Sequence, residues 1–201
     1  MRESKAVIIG VAGTMPTADE LALYREHLPW GFILFARSLK EENQIKDLIA
    51  ALRDSVSNPD APVFIDQEGG RVQRLRPPLA PEYPSAQVIG DIYRRDRKAG
   101  LEAARLMSRL HAVDLKKYGF TADCLPVLDV PVEGASNVIG NRAYGNDPKT
   151  VTELGRAAAE VRQRLELVEG PGLRVAHRDI GALRDREVEA EVASDLDPAG
   201  A

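Results

Sequence analysis

Cysteine is almost absent: Cys124 is the only one in 201 residues, so no internal disulfide can form. Histidine is scarce, with three. No His/Cys/carboxylate cluster has metal-ligand spacing, and the P-loop and Rossmann fingerprints are missing, so no metal and no cofactor are expected. Nor is there an excess of positive charge. Lys and Arg total 27 against 31 Asp and Glu, a net charge of −4, which gives no basic footprint for a nucleic-acid partner. No apolar run approaches the ~18 residues of a membrane span, so no membrane partner is expected. The apolar segment in MRESKAVIIGVAG is too short for a secretory signal and leads straight into a strand pattern; a cytoplasmic protein is expected. What remains is an ordinary soluble composition, 44% hydrophobic and 29% charged, long enough for one sizeable domain with a core.

Along the chain, short apolar runs alternate with helical periodicity. Val7, Ile8 and Ile9 form a first strand ending at Gly10. Thr17 with Glu20 three residues on makes a capping box, and Leu21, Tyr24 and Leu28 follow at helical spacing until Pro29. GFILFA, Gly31–Ala36, reads as the second strand, with Trp30 just before it at the bottom of the sheet. Ile45, Leu48, Ile49, Leu52 and Val56 keep a 3.6-residue period through Glu41–Val56. APVFID, Ala61–Asp66, is the third strand. Leu75–Pro84, with Pro77, Pro78, Pro81 and Pro84, reads as a surface loop. A long helix then buries Ala103, Leu106, Met107, Leu110 and Val113. The fourth strand lies within Phe120–Asp129, around CLPVLD, which makes Cys124 a core residue. Asp147 and Pro148 mark the start of a helix whose buried face carries Val151, Leu154, Ala158, Val161, Leu165 and Val168. His27 and His111, both in helices, read as structural. Leu173–Ala176 is a possible fifth strand, followed by a charged stretch of low apolar periodicity.

Strands that are apolar throughout, separated by helices, indicate a parallel sheet covered on both faces. Ligand sites in such folds gather beyond the C-terminal strand ends. FIDQEGGRVQRLRPP, Phe64–Pro78, leaves the third strand and at once presents Asp66, Glu68, Gly69, Gly70, Arg71 and Arg74. Arg71 and Arg74 would share a face if a helix began there, and the glycines would let a ligand approach closely. A carboxylate accepts hydrogen bonds from sugar hydroxyls, and a guanidinium donates in a planar fork. Arg37 after the second strand and Asp129 after the fourth place further charge on the same rim, which favours a polar-ligand site. The plainer reading is a turn whose arginines pair with Asp66 and Glu68.

The segments GFILFARSL, IDQEGGRVQR, VLDVP and IGNRAYGNDP, with the spacing between them, resemble family 3 glycoside hydrolases, and most closely their β-N-acetylhexosaminidase branch. The resemblance covers roughly Val7 to Val161. It implies an α/β fold of the (β/α)8 TIM-barrel family and retaining hydrolysis of terminal non-reducing N-acetylglucosamine from peptidoglycan fragments. Residue by residue, it makes Asp66 the acid that grips the sugar hydroxyls and Arg74 and Arg142 its partners in substrate binding.

Other family features have no counterpart. A Lys-His pair and a Pro-Gly-His-Gly loop should follow the fifth strand; in VAHRDIG, Ala176 stands for the lysine and no catalytic role passes to His177. Asp195 in ASDLD lacks the apolar strand that should precede the nucleophile. No catalytic residue is therefore identified. A (β/α)8 barrel takes about 250 residues, and only four to five β/α units are counted here. The expected organisation is a partial barrel over residues 1–168 and a divergent charged tail over 169–201, as a frameshift or early stop would leave. The expected function is a truncated glycosidase of weak or no activity, or, alternatively, a non-catalytic sugar-binding or interaction protein. No feature of the sequence indicates an oligomeric state.

Overall fold

The computed structural model describes residues 3–169, with side chains up to Glu160. Four parallel strands form one sheet in the order β1, β2, β3, β6: β1 is Lys5–Gly10, β2 Pro29–Leu34, β3 Val63–Ile65 and β6 Ala122–Asp123. Each is followed by helix: α1 (Ala18–His27), α2 (Glu42–Ser55), the pair α3 (Ala86–Arg95) and α4 (Arg97–Tyr118), and α5 (Pro148–Glu169). Four β/α units thus succeed one another in a TIM-barrel-like α/β arrangement. A two-stranded antiparallel hairpin, β4 (Gln67–Gly69) with β5 (Val72–Gln73), projects from the end of β3.

Local chemistry explains the boundaries. Thr17 Oγ1 accepts from the Glu20 amide at 3.2 Å, and Glu20 returns a bond to the Thr17 amide at 2.8 Å, satisfying amides that the first turn leaves unpaired. Helix α1 closes on Leu28 in the left-handed region, φ 46°, and Pro29 opens β2. Asp96 caps α4 through the Ala99 amide at 3.1 Å, and Gly119 ends it at φ 94°. Asp147 caps α5, accepting from the Thr150 amide at 2.9 Å.

The main core joins the sheet to α2 and the end of α4. Phe32, Leu34, Ile45, Leu48, Leu52, Val63, Ile65 and Leu115 are all inaccessible to solvent, and each such side chain contributes roughly 1.5–3 kcal/mol by leaving water. A second cluster, centred on Ile89, Tyr144 and Leu154, binds α3, α4 and α5 together. Val151 and Ala158 are buried on α5 as expected, whereas the side chains of Val161, Leu165 and Val168 lie outside the described residues, as does the fifth strand expected at Leu173–Ala176.

Four expectations are corrected. The second strand begins at Pro29 and ends at Leu34, so Trp30 belongs to it; it is at the strand's N-terminal end, half exposed, 5.9 Å from the Phe64 ring. The fourth strand is Ala122–Asp123, ahead of CLPVLD, because Pro126 has no amide to give to a ladder, and Cys124 is exposed. On α4 the buried residues are Gly100, Ala104, His111, Leu115 and Tyr118, while Leu106, Leu110 and Val113 face outward at 41–56% exposure. Close helix contact decided that face: a Cβ on Gly100 would lie 2.3 Å from Tyr93 Cα. Finally, the proline-rich loop is not wholly superficial, since Leu75 and Ala80 are buried in the main core.

Candidate functional site

Parallel pairing brings the C-terminal ends of all four strands to one rim, where such folds keep their ligands. Phe35 and Arg37 follow β2, Asp66 follows β3, and Cys124 follows β6. Arg37 Nε donates to the Val11 carbonyl at 2.9 Å, and its guanidinium lies 4.8 Å from the Phe35 ring centre. The Arg74 guanidinium lies 5.8 Å from the same ring. Phe35 is thus a shared cation–π platform for two arginines on the rim.

Asp66 and Arg74 meet directly: Arg74 Nη2 to Asp66 Oδ2 is 2.7 Å, with both side chains about a quarter exposed, 28% and 22%. They meet because the chain between them is a hairpin, so the face that Arg71 and Arg74 would share if a helix began there does not arise. Gly69 and Gly70 have φ of +90° and +59°, the region that costs glycine least. What they admit is this chain's own backbone: a Cβ on Gly69 would lie 2.3 Å from the Pro84 carbonyl oxygen, and the Gly70 amide donates to Tyr83 at 2.8 Å. The expectation that they open the rim to a ligand is corrected accordingly.

Two buried glutamines hold the hairpin. Gln67 Oε1 accepts from the Arg74 and Leu75 amides, each at 2.9 Å, and its Nε2 donates to the Leu75 carbonyl at 3.0 Å. Gln73 ties the hairpin to the proline-rich loop, donating to Pro81 at 2.6 Å and accepting from the Tyr83 amide at 3.0 Å.

Arg142 reaches the same hairpin from the long segment after β6, where Gly140–Arg142 forms a 3-10 turn. Its Nε and Nη2 donate to Glu68 Oε2 and Oε1, both at 2.7 Å, a bidentate fork of the strong kind. The Glu68 bond, and after it the charges of Glu68, Asp129 and Asp66, raise the Arg142 pKa against a desolvation that lowers it. Arg71 fastens the same segment, donating to the Ile139 carbonyl at 3.2 Å and to Asn141 Oδ1 at 3.3 Å. Of the pairs in the plainer reading, a turn whose arginines meet Asp66 and Glu68, only Arg74 with Asp66 forms; Glu68 takes Arg142 from a distant loop instead.

Sequence reasoning missed Asp123 and Gln67. Asp123 is 8% exposed. Burial, and then the charges of Asp66 and Glu68, hold its carboxyl well above the usual carboxylate range, against the lowering effect of the Gln67 and Cys124 amides. A signal for it exists: it is the last residue of a strand whose apolar run points to a later position. Although Cys124 as a residue is exposed, desolvation of its thiol, and then its hydrogen bond to Asp66, push its pKa up to about 12. Among the described residues no His/Cys/carboxylate group could hold a metal ion, and no helix is long and apolar enough to cross a membrane. His177 and Asp195 lie outside the described residues. Chemically, the rim offers carboxylate acceptors and guanidinium donors fixed by backbone bonds, a set suited to a polyhydroxylated ligand.

Comparison with known proteins agrees with this arrangement. The Glycosyl hydrolase family 3 N terminal domain matches residues 9–170. A β-hexosaminidase of Bordetella parapertussis is 38% identical over 154 residues, 77% of this chain and 43% of that protein. The crystal structure of NagZ from Neisseria gonorrhoeae in complex with N-trifluoroacetyl-D-glucosamine superposes with a TM-score of 0.73 at 30% identity, over 80% of this chain and 47% of that one. A family 3 β-N-acetylglucosaminidase from Paenibacillus sp. gives 0.69 at 29%, over 78% of this chain and 29% of that one. The chain spans less than half the length of each of these three relatives. From the IDQEGGRVQR hairpin, the strand-end rim and the match over residues 9–170, the chain belongs to glycosyl hydrolase family 3, whose N-terminal domain it resembles.

Proposed function

We propose that this chain carries the sugar-gripping part of a retaining β-N-acetylhexosaminidase that acts on terminal non-reducing N-acetylglucosamine of peptidoglycan fragments in the cytoplasm. The observation that carries the proposal is the Asp66–Arg74 pair at the end of β3, with Arg142 locked two residues away on Glu68. Asp66 accepts hydrogen bonds from the sugar hydroxyls, Arg74 orients Asp66 and donates to the sugar, and Arg142 closes the pocket from the opposite side. The relatives support the substrate class through their own activities and ligand.

The domain reading that goes with this is an incomplete barrel of four to five β/α units over residues 1–168 and a divergent tail over 169–201. Retaining hydrolysis needs a nucleophile and a proton donor on either side of the scissile bond, and Asp66 does not serve as both grip and nucleophile. The chain by itself therefore binds sugar and turns it over weakly or not at all. Titration calorimetry with N-acetylglucosamine should give a binding isotherm that Asp66→Ala abolishes, and a chromogenic N-acetylglucosaminide should remain intact. No heat at millimolar sugar would overturn the grip; turnover above background that Asp66→Ala removes would overturn the separation of binding from chemistry.

A further inference from the structure

The end of β6 holds a buried carboxyl that neither sugar binding nor the Arg142–Glu68 fork uses. Asp123 stands beside Ile65 in the parallel register, one residue before Asp66. The Cys124 amide donates to the Ile65 carbonyl at 3.0 Å, the last backbone bond between the two strands. Beyond it the chain leaves the sheet for the hairpin, and the Gln67 amide donates to Asp123 Oδ1 at 3.0 Å. Asp66 is therefore held from both sides, at residue 65 by the backbone of β6 and at residue 67 by its last side chain. The Gln67 side chain carries the constraint onward, through the bonds of 2.9 Å to the Arg74 and Leu75 amides.

We infer that Asp123 is a positioning residue for the Asp66–Arg74 pair, its carboxyl oxygen fixing the Gln67 amide and, through the Gln67 side chain, the backbone of Arg74. The inference rests on the reading of that pair as the sugar grip. It is a neutral acid that the site calls for. Asp66 and Glu68 face Asp123 from the β3–β4 segment, the Cys124 amide faces it from β6, and among the described residues no cation forms an ion pair with it. Burial and those two anions favour the protonated form. A neutral oxygen still accepts from Gln67, and it adds no third negative charge where a sugar hydroxyl must approach Asp66. The unfolded chain ionises Asp123 above its ordinary value of 3.8 while the folded chain does not, so stability is lost as pH rises from there toward the raised folded value.

The test uses the full chain with Asp123→Asn, which keeps the acceptor and removes the titration, and Asp123→Ala, which removes both. Hydrogen–deuterium exchange of the 67–75 segment should stay protected in Asp123→Asn and become at least about tenfold faster in Asp123→Ala, with α2 unchanged. The melting temperature of Asp123→Asn should rise relative to the parent between pH 4 and pH 8. Calorimetry should find affinity for N-acetylglucosamine weakened in Asp123→Ala and restored in Asp123→Asn. Unchanged exchange over 67–75 in Asp123→Ala, or equal loss of protection in both variants, would overturn the inference. Should Asp123→Ala fail to fold, Asp123→Glu, which displaces the oxygen, takes its place with the same two outcomes. Exchange needs no sugar, so a parent chain that binds none counts against the proposed function and leaves Asp123 to be judged on the exchange result.

Discussion

Replacing Glu68 with Gln tests how firmly Arg142 is committed to the site. The ion pair spans 74 positions of sequence and links the β4–β5 hairpin directly to Arg142. Its partners differ in environment: the Glu68 side chain is 5% exposed and that of Arg142 25%. Fully exposed pairs contribute about 0–1 kcal/mol, whereas breaking a buried one costs about 3–5 kcal/mol. With one partner buried and the other only partly so, the coupling should be about 2 kcal/mol, between those limits. A double-mutant cycle of Glu68→Gln, Arg142→Gln and the double variant, followed by urea unfolding, isolates it. In a chain of this size the Glu68→Gln single variant should melt about 4–8 °C lower. Arg71 keeps its own bonds to Ile139 and Asn141, so the 3-10 turn should stay in place while the Arg142 guanidinium swings free, and affinity for N-acetylglucosamine should fall with it. A coupling below about 0.5 kcal/mol would reduce the pair to an ordinary surface contact and refute its role as a lock.

Two further perturbations probe the frame behind the site. His111 is 1% exposed, neither ring nitrogen has a hydrogen-bond partner among the described residues, and burial lowers its pKa from 6.5 to about 4. The unfolded chain takes up this proton at higher pH than the folded one, so stability should fall as pH drops from 6.5 toward 4, by roughly 3 kcal/mol in all; the difference in unfolding free energy between parent and His111→Leu across that window measures it, and a flat difference would refute it. Gly90→Ala, which in an exposed helix would stabilise by about 1 kcal/mol, should here destabilise by about 1–3 kcal/mol, because the new Cβ would meet the Tyr144 carbonyl oxygen at 1.7 Å; a higher melting temperature would show that α3 can move away from the Arg142 segment.

Residues whose partners are close in sequence are legible from the order of amino acids alone. The Thr17 capping box, the α2 stripe from Ile45 to Leu52, the Asp147 cap and the three apolar strands depend on backbone periodicity and on bonds three or four residues long. Asp66 and Arg74 are readable too as charged residues of one glycine-containing turn, although their meeting depends on the hairpin that Gln67 and Gln73 hold. The α4 face is misread because Leu106, Leu110 and Val113 form as good an apolar stripe as the buried one. Only the approach of Tyr93 to Gly100 and the packing of α5 select between them.

The sequence by itself determined the alternation of strands and helices, hence a parallel sheet, and the charged turn at the end of β3, because both arise from local backbone preference and side-chain order. Tertiary structure alone decided what those charges do. Arg142 meets Glu68, Phe35 lies near both Arg37 and Arg74, and Asp123 takes the Gln67 amide, because parallel strands gather chain segments far apart in sequence onto one rim. Contacts of that kind have no period and no spacing. They exist only once the core has closed and fixed which strand lies beside which.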